Sequence, residues 1–485
     1  MCGIVGIVSD SPVNQSVYDS LALLQHRGQD STGIATIDGS TMHMFKARGQ
    51  VREAYRTRDM RTLLGNAGLG HVRYTTQGEA EIEEEAQPFF VNSPYGIVLV
   101  HNGNLTNTVK LRDELRNRDR RHLNTSSDTE VLLNILANSL DENVKGPELD
   151  PETIFASVRM LHKRLEGSYA VVSLISGYGL LAFRDPFGIR PLTIGKRETD
   201  AGFTEWVVAS ESLVMENQGY EVYRDVAPGE AVFISITGEF FAEQCADNSV
   251  LVPCSFEYVY LARPDSTMNG ISVYDARLRL GDRLAGTIAK YTPRGDIDVI
   301  MPIPDSSRPA ALEVARKLGI EYREGFYKNR YVGRTFIMPG QASRKRSVKQ
   351  KLNAMPSEFR GKNILIVDDS IVRGTTSREI VEMARAAGAN KVTFTSAAPP
   401  VRYPHVYGIN MPSAKELIAH DRKIPEIRDV LGSDNLIYQE VEDMKSAILE
   451  GSNVTDLDMS CFDGRYVTGT VTPEYLAWVE ATQSS

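Results

Sequence analysis

Cys2 directly follows the initiator methionine and is the first residue of the chain that could do covalent chemistry. A small second residue normally lets the methionine be removed, which would leave Cys2 with a free α-amine. Such an amine has a pKa near ~7.7–8 and can take the proton of its own thiol. The thiol needs a base because only a few per cent of it is thiolate at about pH 7. The alternative is that Cys2 is a small buried residue that opens the apolar run Gly3–Val8.

A second pattern that could do chemistry lies in the other half of the chain. The apolar run Ile364–Val367 ends in the acidic residues Asp368 and Asp369, and the short loop Ser370–Gly374 leads into a predicted helix. Backbone N–H groups of such a loop and helix start can bind a phosphate. Paired carboxylates can hold ribose hydroxyls, directly or through Mg²⁺. The pattern is not a Walker loop, because no lysine follows the glycine. The alternative is a solvated strand end.

The composition narrows the classes of protein that could carry this chemistry. The 485 residues include 54 Lys and Arg against 63 Asp and Glu, a net charge of −9, which argues against bulk binding to nucleic acid or an anionic membrane. The four cysteines form no CxxC pair, so neither a zinc ribbon nor an iron–sulfur cluster has a visible ligand set. No signal-peptide pattern and no bilayer-spanning apolar stretch is visible. We therefore expect a cytoplasmic protein that binds neither nucleic acid nor membrane.

The first half of the chain must position Cys2, and its pattern is rich in short strands. Helical periodicity occurs at Val17–Gln25, Thr129–Leu140 and Thr153–Leu165. Because strands and helices do not alternate one by one, we expect stacked sheets with covering helices, an α+β layering. The predicted strands are Gly3–Val8, Gly33–Thr36, Ala67–Val72, Ile97–His101, Ala170–Ile175, Leu180–Arg184, Trp206–Ser210 and Ala231–Ile236.

The second half alternates strand and helix, which predicts a parallel doubly wound sheet with its ligand at the carboxyl ends of the strands. The irregular stretch Cys245–Pro253 is the predicted boundary between the halves. The predicted elements are helix Ser272–Ala289, strand Ile297–Pro302, helix Pro309–Lys317, strand Asn363–Val367, helix Thr376–Ala387 and strand Lys391–Ala397.

Five motifs within about 130 residues of the first half resemble, in the same order, the glutamine amidotransferases of the N-terminal-nucleophile class. The resemblance implies an αββα sandwich, an α+β fold. One departure is Thr75, where that family usually has a proline after Arg-Tyr. The motifs are Cys2–Gly6, Leu24–Ser31, His71–Gly78 (followed by Ala86–Pro88), His101–Leu105 and Ser127–Glu130.

The same resemblance implies roles for particular residues. Cys2 attacks the carboxamide of glutamine as the nucleophile, and Asn102 and Gly103 donate hydrogen bonds to the tetrahedral oxyanion. Arg73 binds the carboxylate of glutamine, and Asp128 pairs with its ammonium group. Taken alone, Asn-Gly is typical of a hairpin turn, and we expect Asn102-Gly103 just past the end of a strand.

The acidic pair belongs to a second resemblance. The run Ile364–Ser377 resembles the motif that binds phosphoribosyl pyrophosphate (PRPP) in type I phosphoribosyltransferases, which implies an α/β domain with a parallel sheet. The strand end Ile303–Arg308 falls where that family has its pyrophosphate loop. The implied Mg²⁺ ligands are Ser306, Asp368 and Asp369, and the implied PRPP-binding residues are Arg373, Gly374, Thr375, Thr376, Ser377 and Lys328.

A basic stretch follows the pyrophosphate-loop region. From Glu321 to Lys351, nine lysines and arginines stand against two glutamates in a chain of net charge −9. A charge run is usually a solvated face, but Lys328–Gly340 resembles the flexible loop that folds over PRPP in this family. Cations on such a lid can neutralise phosphates and exclude water. We expect the stretch to be mobile without ligand and ordered with PRPP.

Together the two resemblances imply an enzyme that transfers ammonia from glutamine to C1 of PRPP. The products are 5-phosphoribosylamine, glutamate and pyrophosphate, in the first step of de novo purine synthesis. The expected domains are an amidotransferase domain over 2–240 and a phosphoribosyltransferase domain over 255–470. Such enzymes are Mg²⁺-dependent homo-oligomers, dimers or tetramers, that purine nucleotides inhibit. One branch carries a propeptide and a [4Fe–4S] cluster, and we expect neither here.

Two alternatives come from other classes of protein. One is a different synthase driven by the same glutaminase, such as an asparagine or glucosamine-phosphate synthase, which the motif Asp368–Ser377 disfavours. The other is a PRPP- or purine-sensing regulator on the phosphoribosyltransferase fold, which the intact set of motifs around Cys2 disfavours, since a sensor needs no glutaminase.

Overall fold

The computed structural model describes residues 2–74, 83–144, 146, 148–329, 352–411 and 413–483. Thr75 and most of the basic stretch, residues 330–351, therefore lie outside the described residues. Within the described ranges, no helix has the length and apolar character needed to cross a membrane.

The first half is built mainly from antiparallel strands. Its strands are β1 (Gly3–Val8), β2 (Ser31–Asp38), β3 (Thr41–Arg48), β4 (Ala67–Arg73), β5 (Phe89–Val91), β6 (Ile97–Leu105), β7 (Gly167–Ile175), β8 (Gly179–Arg184), β9 (Thr193–Glu198), β10 (Thr204–Ala209), β11 (Glu221–Asp225), β12 (Glu230–Ser235) and β13 (Phe240–Gln244). Its helices are α1 (Asn14–Leu23), α2 (Val51–Ala54), α3 (Thr57–Met60), α4 (Thr108–Asn117), α5 (Asp128–Asn143), α6 (Pro151–Arg164) and α7 (Leu213–Asn217).

These strands form two stacked sheets, which confirms the predicted αββα sandwich. The sheet orders are β11-β9-β10-β1-β4-β2-β3 and β13-β12-β8-β7-β6-β5. Inward side chains of both sheets, including Ile4, Val100 and Val172, form one buried layer. At Gly6 the sheets approach so closely that a Cβ would lie 2.5 Å from Leu180 and from Val172. Helix α1 covers one outer face, and α5 and α6 cover the other.

Local sequence signals fix where the covering helices begin. Helix α5 begins after Ser127, whose side chain accepts a hydrogen bond from the backbone N–H of Thr129. Helix α6 begins after Asp150, whose carboxylate accepts from the N–H of Thr153. Both residues satisfy N–H groups that the helix itself leaves without partners. The start of α5 matters for the site, because its first residue is Asp128.

The second half is an α/β unit. Its strands are β14 (Thr267–Met268), β15 (Ile271–Ser272), β16 (Val299–Pro302), β17 (Glu321–Tyr322), β18 (Phe326–Lys328), β19 (Leu352–Ala354), β20 (Asn363–Asp368), β21 (Lys391–Ser396) and β22 (Asn435–Tyr438). Its helices are α8 (Val273–Tyr291), α9 (Arg308–Leu318), α10 (Pro356–Phe359), α11 (Thr375–Ala386), α12 (Ile424–Leu431), α13 (Val441–Leu449), α14 (Ser460–Asp463) and α15 (Pro473–Gln483).

Five of these strands form the parallel sheet that the alternating pattern predicted. Its order is β17-β16-β20-β21-β22, and each neighbouring pair runs parallel. Helices α8 and α9 pack on one face, while α11 and α12 pack on the other. The pairing of Pro302 with Val367 brings the carboxyl ends of β16 and β20 side by side. The residues that follow these two strand ends are therefore neighbours.

The structure corrects one placement. Asn102 and Gly103 do not follow a strand end, and they form no hairpin turn. They lie inside β6, paired with Ala170 and Tyr169 of β7. The local turn preference of Asn-Gly is overridden because the neighbouring strand continues the hydrogen-bonded ladder past both residues. A true hairpin joins β7 to β8, with Gly177 at a φ of 80° in the turn between them.

Candidate active sites

The first candidate site lies where the two stacked sheets meet at Cys2. Cys2 stands directly before β1, and its backbone N–H donates to Oδ1 of Asn102 with a nitrogen–oxygen distance of 3.3 Å. Its Sγ lies 3.8 Å from the carbonyl oxygen of Tyr74. Both Cys2 and Asn102 are buried. The sequence separation of 100 residues shows that only the folded sandwich brings them together.

Asn102 is anchored through its amide oxygen alone. Among the described residues, its Nδ2 is buried and has no hydrogen-bond partner. A buried amide nitrogen without a partner is costly to a fold and calls for a ligand-based explanation. Its two N–H donors lie beside Cys2 and have no acceptor in the part of the chain that the structure describes.

Gly103 is the next residue on β6, and the packing there allows no side chain. A Cβ at this position would lie 2.1 Å from the carbonyl oxygen of Ser168 and 2.7 Å from Nε2 of His101. The first contact is with backbone, which cannot swing away. The strand geometry therefore demands glycine, and the backbone of Gly103 is held next to Asn102.

Arg73 and Asp128 lie at the edges of the same region. Arg73 ends β4, the neighbour of β1, and its Nη2 lies 2.9 Å from Oε2 of Glu85. Asp128 begins α5, and its Oδ2 accepts from the backbone N–H of Leu105 at 3.1 Å. The structure thus gathers all five amidotransferase residues named from the sequence around the junction of β1, β4 and β6.

Sequence reasoning gave no role to a buried polar layer beneath this junction. Oε1 of Gln87 accepts from the N–H of His101 at 2.6 Å, and Nε2 of Gln87 donates to Thr129 at 2.9 Å. Burial lowers the pKa of His101, so the ring is held neutral. The signal was present, since all three residues lie inside or beside the recognised motifs.

Arg27 is a second residue whose role the sequence did not reveal. Its Nε donates to the carbonyl oxygen of Cys2 at 3.1 Å. Its Nη1 pairs with Glu211, and its Nη2 donates to both oxygens of Glu257, at 2.7 and 2.9 Å. All three charged side chains are buried. Arg27 therefore ties the backbone of Cys2 to Glu257, which lies beyond the predicted boundary in the second half.

The second candidate site lies at the carboxyl ends of β16 and β20. Oγ of Ser306 donates to Oδ2 of Asp369 at 2.5 Å, and Oγ of Ser370 donates to its Oδ1 at 2.7 Å. The backbone N–H of Asp369 donates to Oδ1 of Asp368 at 3.0 Å. Burial raises the pKa of both carboxyl groups, and the charge of Asp369 raises that of Asp368 further. A cluster of hydroxyl and carboxylate oxygens matches the ligand preference of Mg²⁺.

The loop after Asp369 and the start of α11 complete this site. Gly374 is the residue before α11, and its φ of 76° lies in the left-handed region that favours glycine. In the loop, Nε of Arg373 lies 3.1 Å from Oε2 of Glu416. At the start of α11, Thr375 and Thr376 are exposed, whereas Ser377 is buried.

Lys328 lies near the residues that follow the carboxyl end of β16. Its Nζ donates to Oδ2 of Asp305 at 2.9 Å, and Asp305 is the chain neighbour of Ser306. The structure thus brings Lys328, Ser306 and the acidic pair to one edge of the parallel sheet. The part of the basic stretch that resembles the flexible loop lies mostly beyond Lys328, outside the described residues.

In a third cluster of chemically reactive residues, the polar atoms form hydrogen bonds with groups of the protein itself. Cys254, His405 and Asp458 are buried, and each places one atom that could bind a metal ion within 4.8 Å of the other two. Nδ1 of His405 accepts from the N–H of Tyr407 at 3.2 Å. Its Nε2 therefore carries the proton and donates to Oδ2 of Asp458 at 3.1 Å. These bonds fix the chain at His405, at the border with the first half.

Comparison with known proteins identifies both halves. The glutamine amidotransferase domain family matches residues 71–216, and the phosphoribosyl transferase domain family matches residues 272–408. The amidophosphoribosyltransferase of Pasteurella multocida (strain Pm70) is 56% identical over 479 residues, which are 98% of this chain and 94% of that protein. The amidophosphoribosyltransferase of Escherichia coli (strain K12) is 54% identical over 486 residues, covering 100% and 96%.

A solved structure agrees with these relatives. The glutamine PRPP amidotransferase from B. subtilis, complexed with ADP and GMP, superposes with a TM-score of 0.83 at 37% identity. The match covers 96% of this chain and 97% of that chain. A second solved structure, described as the allosteric regulatory enzyme of purine biosynthesis, gives a TM-score of 0.84 at 37% identity over 96% of each chain.

The fold and the two sites define a glutamine-dependent transferase, in which an N-terminal-nucleophile amidotransferase is joined to a type I phosphoribosyltransferase. Because full-length relatives share more than half of its residues, the chain belongs to the amidophosphoribosyltransferase family. It is an enzyme of purine biosynthesis that uses glutamine and PRPP to form 5-phosphoribosylamine, glutamate and pyrophosphate. The interpretations as another synthase or as a non-catalytic sensor are thereby set aside.

Proposed function

We propose that Cys2 is the nucleophile of the glutaminase half and that Asn102 and Gly103 form its oxyanion hole. The observation that carries this assignment is the amide of Asn102, whose oxygen accepts from the backbone nitrogen of Cys2 while its buried nitrogen has no partner among the described residues. With the methionine removed, that backbone nitrogen becomes an α-amine. Asn102 then orients the base and keeps its own N–H groups for the substrate.

The proposed reaction at Cys2 proceeds in two acyl-transfer stages. The α-amine takes the thiol proton, and Sγ attacks the carboxamide carbon of glutamine. The N–H groups of Asn102 and Gly103 stabilise the oxyanion of the tetrahedral intermediate. The amine returns the proton to the leaving nitrogen, so ammonia departs and a thioester remains. Water then attacks the thioester through a second oxyanion, which releases glutamate and restores the thiol.

Substrate glutamine is held at its other end. We assign its carboxylate to Arg73, because a guanidinium can bind a carboxylate with two parallel hydrogen bonds. We assign its ammonium group to Asp128, whose carboxylate lies beside β6 at Leu105. These two groups select a free amino acid over a glutamine side chain within a peptide.

We assign PRPP to the carboxyl edge of the parallel sheet. The loop with Arg373 and Gly374, the hydroxyls of Thr375, Thr376 and Ser377, and the N-terminus of α11 would hold the 5′-phosphate. Ser306, Asp368 and Asp369 would hold Mg²⁺, which when bound supplies charge neutralisation to the departing pyrophosphate. Lys328 adds a cation near the same group. Ammonia attacks C1 of the ribose as the bond from C1 to the pyrophosphate oxygen breaks.

The proposed organisation extends to the whole molecule. We place the amidotransferase domain at 2–240 and the phosphoribosyltransferase domain at 255–470. We propose inhibition by purine nucleotides, since the B. subtilis relative was solved with ADP and GMP bound. We further propose a cytoplasmic homo-oligomer, a dimer or tetramer, that requires Mg²⁺, lacks an iron–sulfur cluster, and binds neither nucleic acid nor membrane.

A coupled assay tests the proposal. Purified enzyme with glutamine, PRPP and Mg²⁺ should release glutamate and pyrophosphate in equal amounts, and omission of PRPP should suppress the glutamate. A mass spectrum of the intact protein should lack the mass of Met1, because a retained methionine would block the amine. Full glutaminase activity in protein that keeps Met1 would contradict the role of the α-amine.

A further inference from the structure

A segment of the second half packs directly on the strand that carries Asn102 and Gly103. Three consecutive residues, Val406, Tyr407 and Gly408, contact the first half. Nδ2 of Asn104 donates to the carbonyl oxygen of Val406 at 2.8 Å, and Oγ of Ser168 donates to that of Tyr407 at 2.9 Å. Because Asn104 of β6 pairs with Ser168 of β7, both bonds engage the same rung of the sheet.

Gly408 makes the closest contact with the candidate oxyanion hole. A Cβ at Gly408 would lie 2.7 Å from both the carbonyl carbon and the carbonyl oxygen of Gly103, and 2.8 Å from its Cα. A real Cβ essentially never approaches other heavy atoms closer than 3.0 Å. The two glycines therefore touch backbone to backbone, and the surface of the second half sets how far Gly103 can move.

The contacting segment is itself held rigidly. At its start, His405 is fixed by its bonds to Asp458 and to the N–H of Tyr407. The carbonyl oxygen of Tyr407 also accepts from Nε of Arg190 at 2.7 Å. Arg190 in turn pairs with the buried Glu257. Because these buried hydrogen bonds hold the segment in place, its contact restricts the movement of Gly103.

The second half also contacts the candidate PRPP site at Ile418, ten residues after Gly408. The backbone N–H of Ile418 donates to the carbonyl oxygen of Val372 at 2.9 Å. The Ile418 side chain fills the space beside Gly374, where a Cβ would lie 2.2 Å from its Cδ1. The ion pair between Glu416 and Arg373 lies in the same place. One stretch of chain thus contacts the phosphate loop at one end and Gly103 at the other.

We propose that Gly408 is a positioning residue for the glutaminase reaction: by contacting the backbone of Gly103, it sets the direction of the N–H that faces the oxyanion. The proposal rests on the proposed role of Gly103 as an oxyanion donor. It assigns part of the glutaminase site to the phosphoribosyltransferase half, through the segment 405–418. Glutaminase chemistry in this enzyme then requires the second half in place, even though none of the residues that we assign to glutamine lies in that half.

The test is the substitution Gly408→Ala in the full-length enzyme, compared with Gly432→Ala. Gly408 has a φ of 93° and Gly432 a φ of 73°, so at both positions alanine meets a backbone conformation that side chains disfavour. A Cβ at Gly432 meets nothing within 4 Å, whereas one at Gly408 meets Gly103. Three rates are measured for each variant: glutamate release, synthesis from free ammonia, and alkylation of Cys2 by iodoacetamide.

We expect Gly408→Ala to lower kcat for glutamate release by about tenfold or more, since loss of one oxyanion donor costs roughly 100- to 1000-fold. Ammonia-dependent synthesis and alkylation of Cys2 should stay within about twofold of wild type. Alkylation forms no tetrahedral oxyanion, so it reports on the thiol but not on Gly103. The Gly432→Ala variant should retain all three rates.

Other outcomes overturn the proposal. Glutamate release equal to that of Gly432→Ala would show that the contact does not position Gly103. Equal loss of all three rates would show a general structural role instead. If Gly408→Ala gives no soluble enzyme, Asn104→Ala decides by the same three rates, because it removes the bond to Val406 and only a long contact, of 3.5 Å, to the hydroxyl of Tyr475. Cys2→Ser is measured in parallel: glutamate release that survives it would refute the proposed nucleophile rather than the role of Gly408.

Discussion

Nη2 of Arg73 lies 2.9 Å from Oε2 of Glu85, so the arginine that we assign to the carboxylate of glutamine already meets a carboxylate of the chain. Both side chains are buried, and Oγ of Ser126 donates to the other oxygen of Glu85. A bound substrate carboxylate must share the guanidinium with Glu85 or displace it. With Arg73 in this assigned role, Glu85 and the substrate carboxylate compete for the same guanidinium.

We predict that Glu85→Gln lowers the KM for glutamine. The amide oxygen can still accept from Arg73, and the amide NH2 group can donate to Oγ of Ser126, but the neutral side chain no longer repels the substrate carboxylate. Relief of one such repulsion in a partly buried site is worth on the order of 1 kcal/mol, about fivefold. Steady-state glutaminase kinetics measure the change, and Glu84→Gln at the exposed neighbouring position is the control. A higher KM would show that the charge of Glu85 is needed to orient Arg73.

Cys2→Ser should abolish glutamine-dependent synthesis but leave synthesis from free ammonia. The proposed nucleophile and the proposed PRPP site lie in separate halves, and serine conserves the size of the residue beside Asn102. The two activities are compared by pyrophosphate release with glutamine or with ammonium chloride. Loss of both activities in a protein with unchanged circular dichroism would contradict the separation of the two sites.

Asp369→Asn should remove synthesis from both nitrogen donors and weaken PRPP binding. The carboxylate lies at the centre of the bonds from Ser306 and Ser370, and loss of a charge-assisted hydrogen bond costs roughly 1.5–3 kcal/mol, about ten- to a hundredfold in Kd. Calorimetry with PRPP and Mg²⁺ measures the affinity. Asp298→Asn is a matched control, because Asp298 contacts the opposite end of the same strand at Asn363. Wild-type affinity in Asp369→Asn would refute the assignment.

His162 should make the first half less stable in mild acid. Burial lowers its pKa from 6.5 to about 4. Between these two pH values, His162 is protonated in the unfolded chain but neutral in the folded chain. The stability is present above pH 6.5 and is lost as the pH falls towards 4. Between pH 7.5 and pH 5, wild type should lose about 2 kcal/mol more than His162→Gln. Urea denaturation at both pH values measures this, with the exposed His122→Gln as control. Equal losses in wild type and His162→Gln would contradict it.

Patterns that are local in sequence predicted much of the fold. The helix predicted at Thr376 begins at Thr375, and the strand predicted at Gly3–Val8 has those bounds, because alternation, helix periodicity and loop chemistry act over a few residues. Strands such as β3 and β9 escaped prediction, since their mixed polar sequences are stabilised by pairing with β2 and β10. Asn102-Gly103 misled because a neighbouring strand overrides its local preference.

In the candidate sites too, local sequence motifs predicted some features, whereas contacts that form on folding could not be predicted. Motifs named every residue that we assign to glutamine and PRPP, since those residues recur in recognisable runs. They could not show that Glu85 meets Arg73, that Arg27 joins Cys2 to Glu257, or that Gly408 touches Gly103. Such contacts form only in the folded chain: Arg73 meets Glu85 within the first half, whereas Arg27 and Gly103 meet residues of the second half that are up to about three hundred positions away.

Arg27 contacts both Cys2 in the first half and Glu257 in the second half, and this affects how such enzymes can be re-engineered. A gene segment ending near residue 250 would encode every residue that we assign to glutamine, yet it would omit Glu257. The guanidinium of Arg27 would then retain Glu211 but lose the two bonds to Glu257, next to the carbonyl oxygen of Cys2. We therefore expect a chimera that joins this half to another acceptor domain to need a buried carboxylate in that domain, placed to face Arg27.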